Sequence, residues 1–307
     1  MTSSPALRRS VHAAFKSLID YAGLFPPAAL GMTAALHEYA TASEGAHAWM
    51  LGRFIVPFSR LEEMGDRRRE FPLSVLVNFA LPSDADTGRW VELVGRGLKT
   101  VARERDAGAR VEALEVAIPP PRWQRETFEA PLGQLGALLE RENLRDVPTY
   151  AELSDAGAMS AAKRARLGVK LRCGGLDASA FPSVEAVAAF ISAASEDSLP
   201  FKATAGLHHP VRHVDAATGF TMQGFLNLLS AAVFAPRADS STLCAIVAEE
   251  DPHAFSFEDD SFAWRDLRCE SDELRAVRKS SFVGYGSCSF DEPVDDLTAL
   301  AILPANA

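Results

Sequence analysis

An α/β chain folded as one (β/α)8 TIM barrel with a parallel eight-stranded sheet is the fold class predicted here, and three observations predict it. Short β-branched or aromatic runs alternate with longer helical patterns, which implies βαβ units and a parallel sheet. Eight strand-helix units occupy 307 residues, a suitable length for such a barrel. No Gly-x-Gly-x-x-Gly opens a helix, so nothing recommends an open doubly wound sheet instead. The expectation is a single domain over residues 1–307.

The strand candidates, in order, are 18–23, 52–57, 73–79, 111–118, 148–153, 169–172, 201–206 and 282–287. Helical patterns separate them at 33–46, 88–104, 127–142, 159–166, 183–194 and 221–234, with 272–279 before the last strand. No tandem repeat, low-complexity tract or Pro/Ser-rich linker interrupts them. The longest irregular stretch, 236–268, is an insertion holding Asp251-Pro252, Glu258-Asp259-Asp260 and Trp264. Active sites of such barrels lie at the C-terminal ends of the strands, so the insertion is a candidate lid. A surface excursion packed by Phe255, Phe257 and Trp264 is the equal alternative.

Composition narrows the function classes. The chain is 48% hydrophobic and 23% charged with a net charge of -10, and its basic residues are scattered apart from Arg67-Arg68-Arg69. That leaves no electrostatic footprint for nucleic acid. Cys173, Cys244, Cys269 and Cys288 show no paired metal or redox spacing and are read as reduced thiols of a cytoplasmic protein. No export signal or membrane-spanning run is expected.

Two lysines break otherwise buried runs: Lys170 in Gly168-Val169-Lys170-Leu171-Arg172 and Lys202 in Pro200-Phe201-Lys202-Ala203-Thr204. A lysine is almost never fully buried without a partner or a purpose. Strand alternation sorts the remaining side chains by face. Leu114, Val116 and Ile118 suit the helix layer, which turns Glu115 inward; Tyr150, Glu152 and Ser154 share a face, Lys170 lies with Arg172, and Lys202 with Thr204. The inferred interior holds Glu115, Glu152, Lys170, Arg172 and Lys202, with Asp20, Arg53 and Asn78 nearby. Any one of these alone reads as part of a structural ion-pair network. Two lysines and two carboxylates converging from different strands read as a site.

These segments resemble the deoxyribose-phosphate aldolase type of class I, Schiff-base aldolase. Leu18-Ile19-Asp20-Tyr21 is similar to that family's Ile-Asp-His-Thr segment, and 112–118 to its strand bearing the acidic proton relay. Tyr150-Ala151-Glu152-Leu153 is similar to its Glu-Thr strand, and Val169-Lys170-Leu171-Arg172-Cys173-Gly174-Gly175 to its Schiff-base strand. Phe201-Lys202-Ala203-Thr204-Ala205-Gly206-Leu207 resembles the second-lysine strand, and Gly286-Ser287-Cys288-Ser289 the last, serine-bearing one. The resemblance implies a lyase that makes or breaks a carbon-carbon bond in a small carbonyl compound, in carbohydrate metabolism and without a cofactor. Lys170 would form the iminium, Lys202 would depress its pKa by like-charge proximity, and Glu115 and Glu152 would move protons. Asp20, Arg53, Asn78, Arg172, Thr204, His208, Ser287 and Ser289 would bind substrate.

Departures from the family bear on substrate. Glu115 stands where the family has Asp, and Arg172 stands where it has a small hydroxyl residue. The Gly-Gly-Ile-Arg phosphate loop is replaced by Ala205-Gly206-Leu207-His208-His209-Pro210. A planar cation at Arg172 suits a carboxylate or phosphate, so a small carboxylated carbonyl compound is favoured over deoxyribose phosphate. Two rival readings stand beside this one. His208 and His209, with His213 four residues on, would hold Zn or another divalent metal in a metal-dependent lyase or isomerase. A non-catalytic metabolite-binding barrel would instead match each lysine with a carboxylate. A homo-oligomer is compatible with all three.

Overall fold

In the computed structural model, parallel pairing closes eight strands into a barrel in which each strand lies beside the next in sequence and the last pairs with the first. The structure describes residues 7–80, 86–118, 128–153, 155–175 and 177–304. The barrel strands are β1 (Ile19–Tyr21), β2 (Leu51–Pro57), β3 (Leu73–Val77), β4 (Val111–Ala117), β5 (Thr149–Glu152), β6 (Gly168–Arg172), β7 (Phe201–Thr204) and, last in the chain, β13 (Phe282–Ser287). Each coincides with an expected strand to within two residues at its ends. Their outward residues are apolar and buried, among them Ile19, Tyr21, Val75, Leu114, Val116, Val169, Leu171, Phe201 and Ala203. This outward row is what the helices cover.

The covering helices are α2 (Met32–Glu44), α4 (Thr87–Asp106), α5 (Glu129–Arg141), α6 (Met159–Arg164), α7 (Val184–Glu196), α8 (Phe225–Phe234) and α10 (Ser271–Ser280), with α11 (Asp291–Ala299) after the last strand. The segment Ala178–Glu196 is long and apolar enough to cross a membrane by length and composition, contrary to the expectation that no run is. Within it, Val187, Ala188, Phe190, Ile191 and Ala194 of α7 are buried in the protein core. A core helix of a water-facing protein has the same character.

Two parts of the chain differ from the expectation. Residues 221–222 do not begin a helix but form β9 (Thr221–Met222), hairpinned with β8 (His213–Val214), and α8 starts only after Gly224. A Cβ on Gly224 would lie 2.3 Å from the Val211 Cα and 2.4 Å from the Pro210 oxygen, so the chain can turn into α8 there only with glycine. All ten residues of α8 are buried, because α9 (Ser240–Ala248) covers its outer side.

The insertion packs by its aromatic residues, as a surface excursion does. It contains α9 and a three-stranded antiparallel sheet of β10 (Phe255–Phe257), β11 (Ser261–Trp264) and β12 (Leu267–Glu270). That sheet packs on α1 (Arg9–Phe15) and α10, the two helices that lead into the starts of β1 and β13. Phe257 meets Phe15 with ring centroids 5.4 Å apart, and the Ser10 amide donates to the Asp259 oxygen at 3.1 Å. Phe262 stacks on Phe234 at 6.3 Å. The aromatic residues fix the sheet on the outside, near the end of the barrel opposite the site. Arg278 closes the same end, donating to the carbonyls of Ala14 at 2.8 Å and Lys16 at 3.3 Å.

Candidate active site

Alternation along each strand delivers the interior charges. With Val169 and Leu171 turned to the helices, Lys170 points inward; with Phe201 and Ala203 turned out, Lys202 does the same. Register sets them side by side, since Lys170 is directly opposite Lys202 on β7 and Glu152 is directly opposite Lys170 on β5. Lys170, Lys202, Glu115 and Asp20 are each no more than 3% exposed.

One carboxylate joins both ammonium groups. Lys170 Nζ lies 2.7 Å from Glu115 Oε2 and 3.0 Å from Glu152 Oε2. Lys202 Nζ contacts Glu115 Oε1, lies 2.6 Å from Asp20 Oδ2, and donates to Ser74 Oγ at 3.1 Å. Ser74 Oγ donates in turn to Glu115 Oε1 at 2.6 Å. Lys202 also lies 5.8 Å from the centre of the Tyr150 ring. Asp20 is held from behind by the Arg53 amide, which donates to its Oδ1 at 2.5 Å. Gly52 permits that approach, because a Cβ there would fall 2.2 Å from the same oxygen. Glu152 is shared at the mouth, where Arg172 Nε donates to its Oε1 at 2.8 Å.

The electrostatics differ from the expected lysine-lysine effect. Burial pulls the Lys170 pKa down, but Glu115 and Glu152 outweigh it and hold Lys170 above the ordinary lysine value. Burial likewise pulls Lys202 down, and Asp20 and Glu115 raise it further than burial lowers it. Burial pushes Glu115 up while the two ammonium groups pull it well below the usual carboxylate range. Glu152 is lowered for the same reason, with Lys170 and Arg172 overcoming its burial. Both lysines therefore rest as ammonium ions, because the carboxylates beside them outweigh burial.

The other expected residues are distributed unevenly. Arg53 belongs to the rim of the network, 3.9 Å from Asp20 Oδ2 and 3.5 Å from Glu112 Oε2. Arg172 is not interior: its side chain is 50% exposed, because β6 ends there and the side chain leaves the barrel. Asn78 is exposed just beyond the end of β3 and contributes nothing to the network. Thr204 is half-buried at the end of β7, opposite Arg172. Ser287 and Ser289 serve the chain's own turn: Ser287 Oγ accepts from the Ser289 amide at 3.4 Å, and Ser289 Oγ accepts from the Glu292 amide at 3.2 Å. Ser154 lies outside the described residues.

The two histidines separate rather than converge. His208 Nδ1 is 3.0 Å from Glu292 Oε2 and His209 Nδ1 is 2.6 Å from Asp296 Oδ2, both carboxylates being on α11. Among the described residues, no group of three His, Cys, Asp or Glu side chains forms a metal-ligand set. Cys288 Sγ is 3.8 Å from His208 Nδ1, the same ring nitrogen that faces Glu292, so no relay runs through the imidazole. Burial pushes the Cys173 thiol up to about 12, which removes it as a nucleophile at neutral pH.

Ser74 is the member the sequence reading missed. It is fully buried between Leu73 and Val75, and a polar residue at an inward position of an apolar strand was the available signal. Ser74→Ala is expected to destabilise the fold by about 1–3 kcal/mol, since it removes a donor to a buried carboxylate; urea denaturation measures this.

No family model and no curated protein matches the chain. Solved structures do. A tetrameric deoxyribose phosphate aldolase from Aeropyrum pernix is 15% identical, with 66% of this chain and 84% of that one aligned at a TM-score of 0.44. QR15, an aldolase, is 14% identical over 72% of this chain and 87% of its own, at 0.48. A mandelate oxidase mutant is 14% identical over 85% and 72%, at 0.36. The resemblance is distant; the barrel rests on the strand pairing and the chemistry on the side chains above.

Proposed function

We propose that the protein is a class I, Schiff-base lyase acting on a small carbonyl substrate, with Lys170 as the nucleophile. The observation that carries this reading is the bridging of two buried, adjacent ammonium groups by the single carboxylate of Glu115. Lys170 first gives up a proton, and Glu115 and Glu152 are the acceptors in contact with it. The free amine adds to the substrate carbonyl and water leaves; the resulting iminium then accepts the electron pair of the breaking carbon-carbon bond while the substrate's β-hydroxyl gives its proton to a nearby carboxylate and departs as a second carbonyl. Protonation of the enamine carbon and hydrolysis return the lysine. Arg172, half outside the barrel and two residues beyond Lys170, is placed to meet a carboxylate on the substrate.

A non-catalytic metabolite-binding barrel is the second reading, favoured by one observation: each lysine is already matched by two carboxylates. Borohydride trapping with small aldehydes and 2-oxo acids separates the two, read by intact mass and peptide mapping, with and without chelator. A chelator-insensitive adduct on Lys170 that Lys170→Ala abolishes is the expected result. Absence of an adduct from every candidate sinks the Schiff-base reading, and bound metal removed by chelator would favour the metal-dependent one.

A further inference from the structure

We propose that a second ligand site, separate from the lysine network, lies in a cavity of about 340 Å³ between the start of α7 and the β8–β9 hairpin, and that it takes a small organic anion bearing hydroxyl groups. The cavity is lined by Phe181, Ser183, Val184, Arg212, Phe220 and Gln223, among others, and by none of Asp20, Ser74, Glu115, Glu152, Lys170 or Lys202.

Gln223 is the first indication. It is 2% exposed, and its Nε2 donates to the Pro182 oxygen at 3.1 Å. That bond fixes the amide and leaves Oε1 buried with no hydrogen-bond partner. A buried amide oxygen without a donor is costly, and such atoms in a folded protein call for an explanation. Arg212 is the second. Its amide donates to Asn227 Oδ1 at 3.0 Å, which anchors the backbone. Its Nη1 is taken by Glu250, whereas its Nε is buried without a partner.

Both residues line the cavity together with the first residue of α7, whose Ser183 cap accepts from the Ala186 amide at 3.2 Å. The positive end of that thirteen-residue helix and the guanidinium both favour an anion. Gln223 Oε1 requires a donor, which a hydroxyl supplies. The Phe181 and Phe220 rings, 5.2 Å apart, offer an apolar wall for a short carbon skeleton. A phosphate ester and a hydroxy carboxylate both meet these terms. The loops that form the cavity continue from β6 and β7, the strands that carry Lys170 and Lys202.

Isothermal titration calorimetry on the full chain tests the site with glycerol 3-phosphate, glycerate, inorganic phosphate and glycerol. None of these has an aldehyde or ketone group, so binding cannot be iminium formation, and Lys170→Gln distinguishes this site from the lysine network. Saturable binding of glycerol 3-phosphate or glycerate is expected, and the tighter of the two identifies the anion. Arg212→Gln, a partly exposed position, is expected to weaken binding at least tenfold, and Gln223→Leu to remove the preference of glycerol 3-phosphate over inorganic phosphate. Circular dichroism checks that both variants fold. No saturable binding by the unaltered protein, equal binding by both variants, or binding lost in Lys170→Gln but kept in Arg212→Gln would overturn the proposal.

Discussion

Glu115→Leu is expected to cost the fold on the order of 3–5 kcal/mol, the range seen when one partner of a buried ion pair is removed. The residue is 1% exposed and touches Lys170, Lys202 and Ser74. Without it the interior keeps two ammonium groups and loses the carboxylate they share, while the Ser74 hydroxyl loses its acceptor. Glu152 and Asp20 remain, one for each lysine, and they moderate the loss without replacing it. Chemical denaturation at pH 7 measures the difference. A loss under about 1 kcal/mol would mean that the charges are relieved by water, as at a surface pair.

The same substitution should change the pH dependence of stability in a definite direction. Glu115 is depressed in the folded state, so its contribution is present above its ordinary value of 4.5 and is lost as the pH falls below that toward the folded value. Lys170 and Lys202 are raised, so theirs is present below 10.5 and is lost as the pH rises through their folded values. Stability is therefore expected to be flat between those limits and to fall on both sides. Glu115→Leu should flatten the acid limb, read from denaturation midpoints between pH 3 and 7.

The periodicity of strands made most of the barrel legible. Residues 282–287 and 169–172 could be placed because apolar residues on alternate positions need the helix layer, and the same alternation put Lys170, Lys202, Glu115 and Glu152 on the inner face. Period two gives a face but no depth. Arg172 shares the face of Lys170 yet leaves the barrel, because it is the last residue of β6. Asn78 follows the end of β3, and Ser74, four residues earlier, reaches the network in its place. Nor does alternation give partners. That Lys202 faces Asp20 and Glu115 depends on closure of the barrel between β1 and β13, a long-range pairing that no local pattern encodes. The insertion was legible only in part for a similar reason: its aromatic residues announce packing, but where they pack is decided by Phe15, far away in the chain, and by Phe234 at the end of α8.

Adduct formation at Lys170 is expected to accelerate steeply with pH, and this would separate an active amine from an inert ion pair. Glu115 and Glu152 hold Lys170 above its ordinary value of 10.5, so at pH 7 the free amine is less than about one part in 3,000. Each added pH unit multiplies that fraction about tenfold while the fold persists. The cyanoborohydride trapping rate with a reactive aldehyde should therefore climb by about two orders of magnitude from pH 7 to pH 9. Glu152→Gln removes one of the two carboxylates and should move the profile to lower pH, so that trapping at pH 7 becomes faster, although the acceptor nearest the mouth is gone. Lys202→Met acts differently: it frees Glu115 to pair with Lys170 alone and should move the profile to higher pH. A rate independent of pH in all three proteins would mean that no lysine deprotonation limits the reaction, and would leave the charges of this barrel as structural partners.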